Sequence, residues 1–259
     1  MKPQLLLLCF ALSALSAHAA DAIVLAEDDA SDPAYKSEWK AEGGGTGFAE
    51  WTFKTAQGAS GESHAGFFIA ETARNPDMKP VAIRDKAFGF FANGAGFEIA
   101  AAFRPLKKPL AVGQTFSFLF ETGEFAKKFD QDDAAPGSVG VTLRSGNAAA
   151  GVEDYNKDAR LEFGSYAGKP NYQIFDGETT QDTGVPLTSG GLTVSITLAT
   201  ADTYDVEITT LADKKKTTLK GRKLGGTAGA KIESFCLFNR NWEKNDAFFN
   251  GLQITGVDE

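Results

Sequence analysis

The sequence has almost no cysteine and almost no histidine, and these two shortages exclude several kinds of site. Of the two cysteines, Cys9 lies in an N-terminal apolar run, and only Cys236 remains for the folded part, so we expect no disulfide there. Cys236 lies between Phe235 and Leu237, and apolar surroundings predict an inert buried thiol. Of the two histidines, only His64 lies beyond the N-terminal run. This excludes a histidine zinc cluster within one chain and leaves a Ser-His-Asp triad a single candidate base.

Long apolar segments are also lacking after the first residues. Lys2 precedes an apolar run from Leu5 to Leu15, which is too short to span a bilayer, and Ala17-His18-Ala19 fits an A-x-A cleavage pattern. We therefore expect residues 1–19 to be a signal peptide and residues 20–259 to form one domain. The chain also has no N-x-S/T glycosylation sequon. These features predict a bacterial export, free outside the cell or held in the periplasm.

Positive charge is scarce. The chain has 26 Lys plus Arg against 34 Asp plus Glu, a formal net charge of −8. Nucleic acids and anionic membranes attract basic surfaces, so this balance argues against both as partners. The charge balance gives no argument against a sugar as a partner.

Alternating apolar and polar residues dominate the rest of the chain. In the stretch Gly190–Leu211, Leu192, Val194, Ile196 and Leu198 alternate with polar residues, and the alternation resumes from Tyr204 to Ile208. This period of two predicts two half-buried strands that need a second apolar layer. Runs rich in the 21 phenylalanines supply that layer. Along the whole chain there are about a dozen such short runs. Together they predict an all-β, two-sheet antiparallel sandwich, a jelly roll.

One segment near the N-terminus breaks this pattern. Asp32-Pro33 is typical of a helix start and predicts one or two helical turns over residues 33–40. Residues 43–47, Gly-Gly-Gly-Thr-Gly, then predict a tight turn into a core strand. Trp39 and Trp51 flank this turn and are expected in the core.

Several segments together resemble a group of exported bacterial proteins with a concanavalin A-like jelly roll, of the lectin and glucanase type. They are Tyr35 to Trp39, GGGTGFAEW from Gly43 to Trp51, FGFFAN from Phe88 to Asn93, LAVGQTFSF from Leu110 to Phe118, the Gly190–Leu211 hairpin, and NDAFFNGLQI from Asn245 to Ile254. The resemblance covers most of residues 20–259, and the group has no uniform activity. It implies a concanavalin A-like fold and, by analogy of fold alone, a glycan partner.

The residues argue against the enzymes that share this fold. Laminarinase-type glucanases carry E-x-D-x-x-E on one strand, where the spacing sets two carboxylates about 5 Å apart. Glu27-Asp28-Asp29 begins such a pattern without completing it, and Glu121 and Glu124 point to opposite faces of a strand. The Tyr, His, Arg and Gln motifs of jelly-roll lyases are not found. We find no complete catalytic motif and lean towards a protein that is not an enzyme.

Calcium is the one cofactor that the sequence leaves open. Calcium takes six to eight oxygen ligands, and none of the oxygen-rich clusters has the D-x-D-x-D-G spacing, so solvated loops are the alternative. The clusters are Asp28, Asp29 and Asp32; Asp130, Asp132 and Asp133; and Asn245, Asp246 and Asn250.

Loop aromatics are the best candidates for a binding site. Sugar rings stack on Trp and Tyr while polar neighbours bind hydroxyls. Trp242 is flanked by Asn239 and Asn241, and Tyr155 by Glu153, although such residues can equally pack a loop onto the sandwich. The sequence predicts a secreted, non-catalytic module that binds a glycan or an envelope component. A structural or adhesive envelope protein and a glycan-cleaving enzyme with an unfamiliar site stay open.

Overall fold

The fold is a sandwich of two antiparallel sheets. The computed structural model describes residues 22–36, 38–56, 64–93, 98–122, 137–177, 180–240 and 246–257. Within these ranges the first sheet has eight strands and the second has seven. The expected class, an all-β jelly-roll sandwich of two antiparallel sheets, is confirmed.

All strands except β5, which spans Ile99–Leu110, have ten residues or fewer. Those of the first sheet are β1 Ile23–Asp28, β3 Ala65–Glu71, β4 Lys86–Ala92, β6 Thr115–Glu121, β11 Leu192–Thr200, β12 Thr203–Thr210, β13 Lys216–Lys223 and β15 Ala247–Gly256. Those of the second sheet are β2 Thr52–Ala56, β5 Ile99–Leu110, β7 Ser138–Arg144, β8 Ala159–Tyr166, β9 Asn171–Phe175, β10 Thr180–Pro186 and β14 Ile232–Arg240. Within the described ranges, two 3-10 helices span Pro76–Val81 and Val152–Asp154. The strand order is β13-β12-β11-β6-β15-β4-β3 in the first sheet, with β1 also paired to β15, and β10-β9-β8-β7-β14-β5-β2 in the second.

The hairpin that the alternation predicts is present as β11 and β12. Leu192 lies opposite Thr210, and Ile196 lies opposite Val206. The apolar positions of β11 are buried, and the threonine and serine positions between them are only partly exposed. The buried rows of both sheets form one core, in which Phe120 stacks on Phe249 with ring centroids 4.9 Å apart. Trp39 and Trp51 both lie in this core, as expected.

Long connections cover part of each outer face. The connection between β3 and β4 places the 3-10 helix Pro76–Val81 against Leu119 and Phe248 of the first sheet. The connection between β7 and β8 lies over the second sheet, where Val152 and Tyr155 pack on Phe103 and Phe238. Among the described residues, no helix is long and apolar enough to cross a membrane.

The N-terminal segment is held by a buried ion pair, and the helix expected over residues 33–40 is not formed there. The described residues of that range make successive turns. The carboxylate of Asp32 accepts hydrogen bonds from the backbone amides of Ala34 (2.8 Å) and Gly45 (3.0 Å), so it stabilises a turn. Tyr35 then reaches inward and donates its hydroxyl to Asp28, which also pairs with Arg104. The helix prediction was wrong because this tertiary contact outweighs the local capping signal.

Three Arg–Asp pairs connect the sheets. Arg104 of β5 pairs with Asp28 of β1, and both side chains are at most 1% exposed. The two other pairs are Arg160 with Asp202 and Arg222 with Asp176, each at 2.7 Å between nitrogen and oxygen. Each pair has one partner on a strand or turn of the first sheet and the other on the second.

We expect Arg104→Met to lower the free energy of unfolding by about 3–5 kcal/mol, because it leaves the Asp28 carboxylate buried without its cation. The measurement is chemical denaturation followed by circular dichroism. Lys216→Met is the matched control, because it removes the cation of the exposed Lys216–Glu207 pair, and it should cost at most about 1 kcal/mol. Equal losses in the two variants would contradict a stabilising role for the buried pair.

Candidate functional site

The outer face of the second sheet carries a small patch without side chains in its centre. On β7, the outward positions are Ser138, Gly140 and Thr142. On β8 they are Tyr166, Gly164 and Glu162, and each lies directly opposite its partner in that order. Because directly opposed residues share a face, the two glycines form the floor and the four polar residues form the rim. We call these six residues the glycine-floor patch.

The strands approach too closely at the floor for any other residue. A Cβ atom on Gly140 would lie 2.2 Å from the carbonyl oxygen of Phe163, and one on Gly164 would lie 2.2 Å from that of Val139. Neither distance is compatible with van der Waals contact, so the backbone itself requires glycine at both positions. The floor is therefore fixed by packing.

The rim contains buried oxygens that lack a protein donor. Tyr166 donates its hydroxyl to Oε1 of Glu162. Oε2 of Glu162 and Oγ1 of Thr142 are buried, and neither has a hydrogen-bond partner within the described part of the chain. The Ser138 hydroxyl, by contrast, lies within hydrogen-bonding reach of the Tyr155 side chain. Buried polar atoms in native proteins are nearly always hydrogen-bonded to protein or to ordered water. Of the six patch residues only Tyr166 is partly exposed, so the two oxygens indicate a place for ordered water, or for a hydroxyl-bearing ligand once the cover of the patch opens.

Burial changes the acidity of this carboxylate. Glu162 is 2% exposed, and loss of solvation raises its pKa to about 7, against the opposing effects of the Tyr166 hydrogen bond and the Arg240 charge. Burial also raises the pKa of Tyr166 well above its usual value, and Glu162 adds to that shift. Around neutral pH Tyr166 therefore keeps its proton, and the Glu162 carboxyl group is protonated in a substantial fraction of the molecules.

Tyr155 roofs the neighbouring part of the face. It follows the 3-10 helix Val152–Asp154, is 4% exposed, and lies with its ring centroid 4.2 Å from that of Phe238. Burial raises the pKa of Tyr155 to about 12. Arg144 anchors the base of this connection, because its guanidinium donates to the carbonyls of Ala148 (3.1 Å) and Lys157 (3.0 Å). Tyr155 thus offers no exposed ring for stacking.

The structure brings only some of the predicted site residues towards this patch. Asn239 points between the sheets, is fully buried, and donates its amide to the carbonyl of Phe90 at 3.4 Å. The backbone of Glu153 lies in the 3-10 helix beside Tyr155. Asn241 and Trp242 lie outside the described residues. Arg240, which directly precedes them, lies at the same end of the sheet as Ser138, its cross-strand partner.

The candidate calcium ligands form structural hydrogen bonds where they are described. Asp28 pairs with Arg104, Asp29 accepts the backbone amide of Ser31 (2.7 Å), and Asn250 donates to the carbonyls of Val81 (3.0 Å) and Lys86 (2.7 Å). Residues 130–133 and Asn245 lie outside the described residues. Over the described ranges, no group of three His, Cys, Asp or Glu side chains could hold a metal ion.

Sequence reasoning missed Glu162, Tyr166, Ser138 and Thr142. The stretch RLEFGSY places Glu162 and Tyr166 at alternate positions on either side of Gly164. The signal available in the sequence was therefore a charged residue that shares one face of a strand with a glycine. The opposing SVGVT stretch lies more than twenty residues earlier. Only the pairing register of β7 and β8 brings the two stretches together.

Comparisons with known proteins support the fold and no family. No protein-family model matches the sequence, and no curated protein matches it. Similar solved structures include one from a study of endo-acting O-glycanases of the human gut microbiota, with 8% identity, 91% of this chain and 100% of that chain covered, and a TM-score of 0.54. The carbohydrate esterase vb_24B_21 of the Shiga toxin-encoding bacteriophage phi24B has 7% identity, covers 92% and 100%, and has a TM-score of 0.50.

A plant lectin is also among the similar structures. Lectin II from Ulex europaeus has 10% identity, 80% of this chain and 99% of that chain covered, and a TM-score of 0.42. At such low identities, the two structures with TM-scores of 0.50 and 0.54 show a shared fold and nothing more.

We expect Gly140→Ala to destabilise the fold by several kcal/mol, because the added Cβ meets the backbone of β8. Gly177→Ala is the control, since a Cβ there meets nothing within 4 Å, and its effect should stay within about 1 kcal/mol. Thermal unfolding of both variants measures the difference. A mild effect at Gly140 would show that the floor can widen.

We also expect Glu162 to make stability fall as pH rises from about 4.5 to about 7. The folded-state pKa of about 7 lies above the ordinary value of 4.5, so in this window the folded chain binds more protons at Glu162 than the unfolded chain does. The contribution is largest at low pH and is lost by the time pH exceeds 7. The free energy of unfolding of the wild type, relative to Glu162→Gln, should fall by about 3 kcal/mol across the window. If the pH curves of the wild type and of Glu162→Gln ran parallel, they would contradict a raised pKa of the buried Glu162 carboxyl group.

Proposed function

We propose that the chain is an exported, non-catalytic module that binds a glycan through the outer face of the second sheet. The observation that carries this proposal is the glycine-floor patch, where two buried oxygens without described protein partners, Oε2 of Glu162 and Oγ1 of Thr142, lie beside a floor without side chains. Once the cover of the patch opens, these oxygens can accept hydrogen bonds from the hydroxyls of a sugar. Membership of the exported concanavalin A-like group and the glycan partner that it implies belong to the same proposal.

Two further observations support a sugar as the ligand. The two similar structures with the highest TM-scores quoted above come from work on a carbohydrate esterase and on O-glycanases. Arg240, which precedes Trp242 by two positions in the sequence, lies at the end of the sheet where Tyr166 and Ser138 lie. We propose that Trp242 stacks on a sugar ring, with Asn241 as a polar neighbour, while Tyr155 packs on Phe238.

The first test uses a glycan array and then titration calorimetry with a retained glycan. Trp242→Ala should weaken binding by about two- to tenfold, since an aromatic stacking contact contributes about 0.5–1.5 kcal/mol. Tyr166→Phe should also weaken binding, because it removes the hydroxyl that orients the Glu162 carboxylate.

Tyr204→Phe is the matched control for Tyr166→Phe. It also deletes a hydroxyl that donates to a carboxylate, the 2.6 Å bond to Asp176, but that bond connects the sheets away from the patch. Binding should therefore be unchanged at temperatures where this variant stays folded. An array that retains no glycan, or unchanged binding by Trp242→Ala and Tyr166→Phe together, would contradict the proposal and favour a structural or adhesive envelope role.

A glycan-cleaving activity is the second candidate, and Glu162 is the observation that favours it. A carboxyl group with a pKa of about 7 is protonated often enough near neutral pH to act as a general acid. Glycosidases generally need a second carboxylate 5–10 Å away, and the described rim contains only Glu162. Release of new reducing ends from the retained glycan, abolished in Glu162→Gln, would favour the enzyme over the binding module.

A further inference from the structure

The exposed apolar side chains gather at one end of the sandwich. At this end β1 begins, β15 ends and β5 turns into β6; we call it the Val112 end. Of the described residues, four large apolar ones are exposed: Ile23 (44%), Val24 (48%), Val112 (55%) and Val257 (50%). Ile23 pairs with Gly256, next to Val257, so three of the four are neighbours across β1 and β15. Clustered exposure of this kind marks an interaction surface.

Two apolar hollows lie between these residues. One, of about 310 Å³, lies beside Val112 and is lined by Leu198, Ala230 and Ile232. The other, of about 530 Å³, lies beside Ile23 and Val24 and extends to Ile254. Pro109 and Ala111 line both hollows. The strand end at Pro109 therefore forms their common wall, and the apolar surface continues across it.

The charged side chains that line the hollows are all lysines. Asp202 lies beside the first hollow, where it accepts a hydrogen bond from the backbone amide of Gly229, but it is paired with Arg160. Lys231 lines the first, and Lys107 and Lys108 line the second. All three lysines are exposed, and no Asp or Glu is found among the described residues that line either hollow. The net negative charge of the whole chain therefore does not describe the charge at this end of the sandwich. At physiological ionic strength charges further than about 8 Å away are largely screened, so the local lysines decide the attraction.

A second copy of this chain is a poor match for such a surface. A two-fold dimer contact presents the same surface on both subunits, so lysines would face lysines across it. Exposed apolar residues surrounded by lysines suit a partner that is apolar inside and anionic at its surface. A bilayer that contains anionic lipid has this chemistry, because its interface accepts apolar side chains and its head groups attract nearby lysines.

We propose that the Val112 end docks on the surface of an anionic lipid bilayer. Ile23, Val24 and Val112 enter the interface, and Lys107, Lys108 and Lys231 contact head-group phosphates. This contact is peripheral and needs no membrane-spanning segment. It is independent of the glycan proposal, since the patch residues Ser138 and Tyr166 lie at the opposite end of their strands, paired with one another across β7 and β8.

The test is co-sedimentation with vesicles of phosphatidylglycerol and phosphatidylcholine, compared with phosphatidylcholine alone. The wild-type chain should bind the anionic vesicles, and binding should weaken as salt rises from 0.15 M to about 0.5 M. The variant Lys107→Glu/Lys108→Glu/Lys231→Glu should bind at least about tenfold more weakly. Every protein is used in its exported form, without the expected signal peptide of residues 1–19, so the apolar run from Leu5 to Leu15 cannot bind the vesicles.

The matched control is Lys214→Glu/Lys215→Glu/Lys216→Glu. It reverses the same number of exposed charges at the other end of the sandwich, where β12 turns into β13, and it should bind like the wild type. A further variant, Ile23→Ser/Val112→Ser, should bind at least about threefold more weakly with its lysines intact. Equal binding by the two lysine variants, or a wild-type chain that ignores anionic vesicles, would overturn the proposal. A concentration-dependent dimer that is lost in Ile23→Ser/Val112→Ser would assign the surface to a second copy instead.

Discussion

Burial of phenylalanine rings between the two sheets is the interaction on which the rest of the structure depends. Phe118 and Phe120 of β6 contact Phe163 of β8 across the interior, and Phe235 of β14 contacts Phe116 in the same way. No disulfide is recorded for the described residues, whose one cysteine, Cys236, is free and buried. The sheets are thus joined by packing, and the Arg–Asp pairs at their margins fix how one sheet sits on the other. Only the Arg104–Asp28 pair is shielded from water on both sides, and there a charge left without its partner is costly.

The strands could be predicted because a period of two is a local property. In β11, β12 and β6, the residues that alternate in the sequence alternate in burial, and the hairpin register follows from the short turn. Residues 33–40 could not be predicted in this way. Asp32 is a good helix cap, yet Tyr35 gains a buried hydrogen bond to Asp28 that a helix would forbid, and only the folded chain shows that Arg104 completes this contact.

The candidate site was less predictable because its residues come together through register between strands. Thr142 and Glu162 are twenty positions apart in the sequence and directly opposed in the sheet. A pattern search favours loop aromatics such as Tyr155, whose neighbours are polar in the sequence, while the fold turns that ring inward onto Phe238. A buried glutamate beside two obligatory glycines is unfavourable for stability alone. Such local conflicts are expected where a protein binds something.

The two proposed surfaces use different physical forces, and the fold separates them. The glycine-floor patch depends on directional hydrogen bonds to oxygens held by β7 and β8, which only a rigid sheet can present in fixed positions. The Val112 end depends on apolar area and screened charge, which need no exact geometry and can therefore be built from turns and strand ends. Because strands in both sheets run from one end of the sandwich to the other, docking by the Val112 end would leave the opposite end, with Ser138, Tyr166 and Arg240, turned away from the bilayer. That arrangement lets one small domain contact a lipid surface and a glycan at the same time.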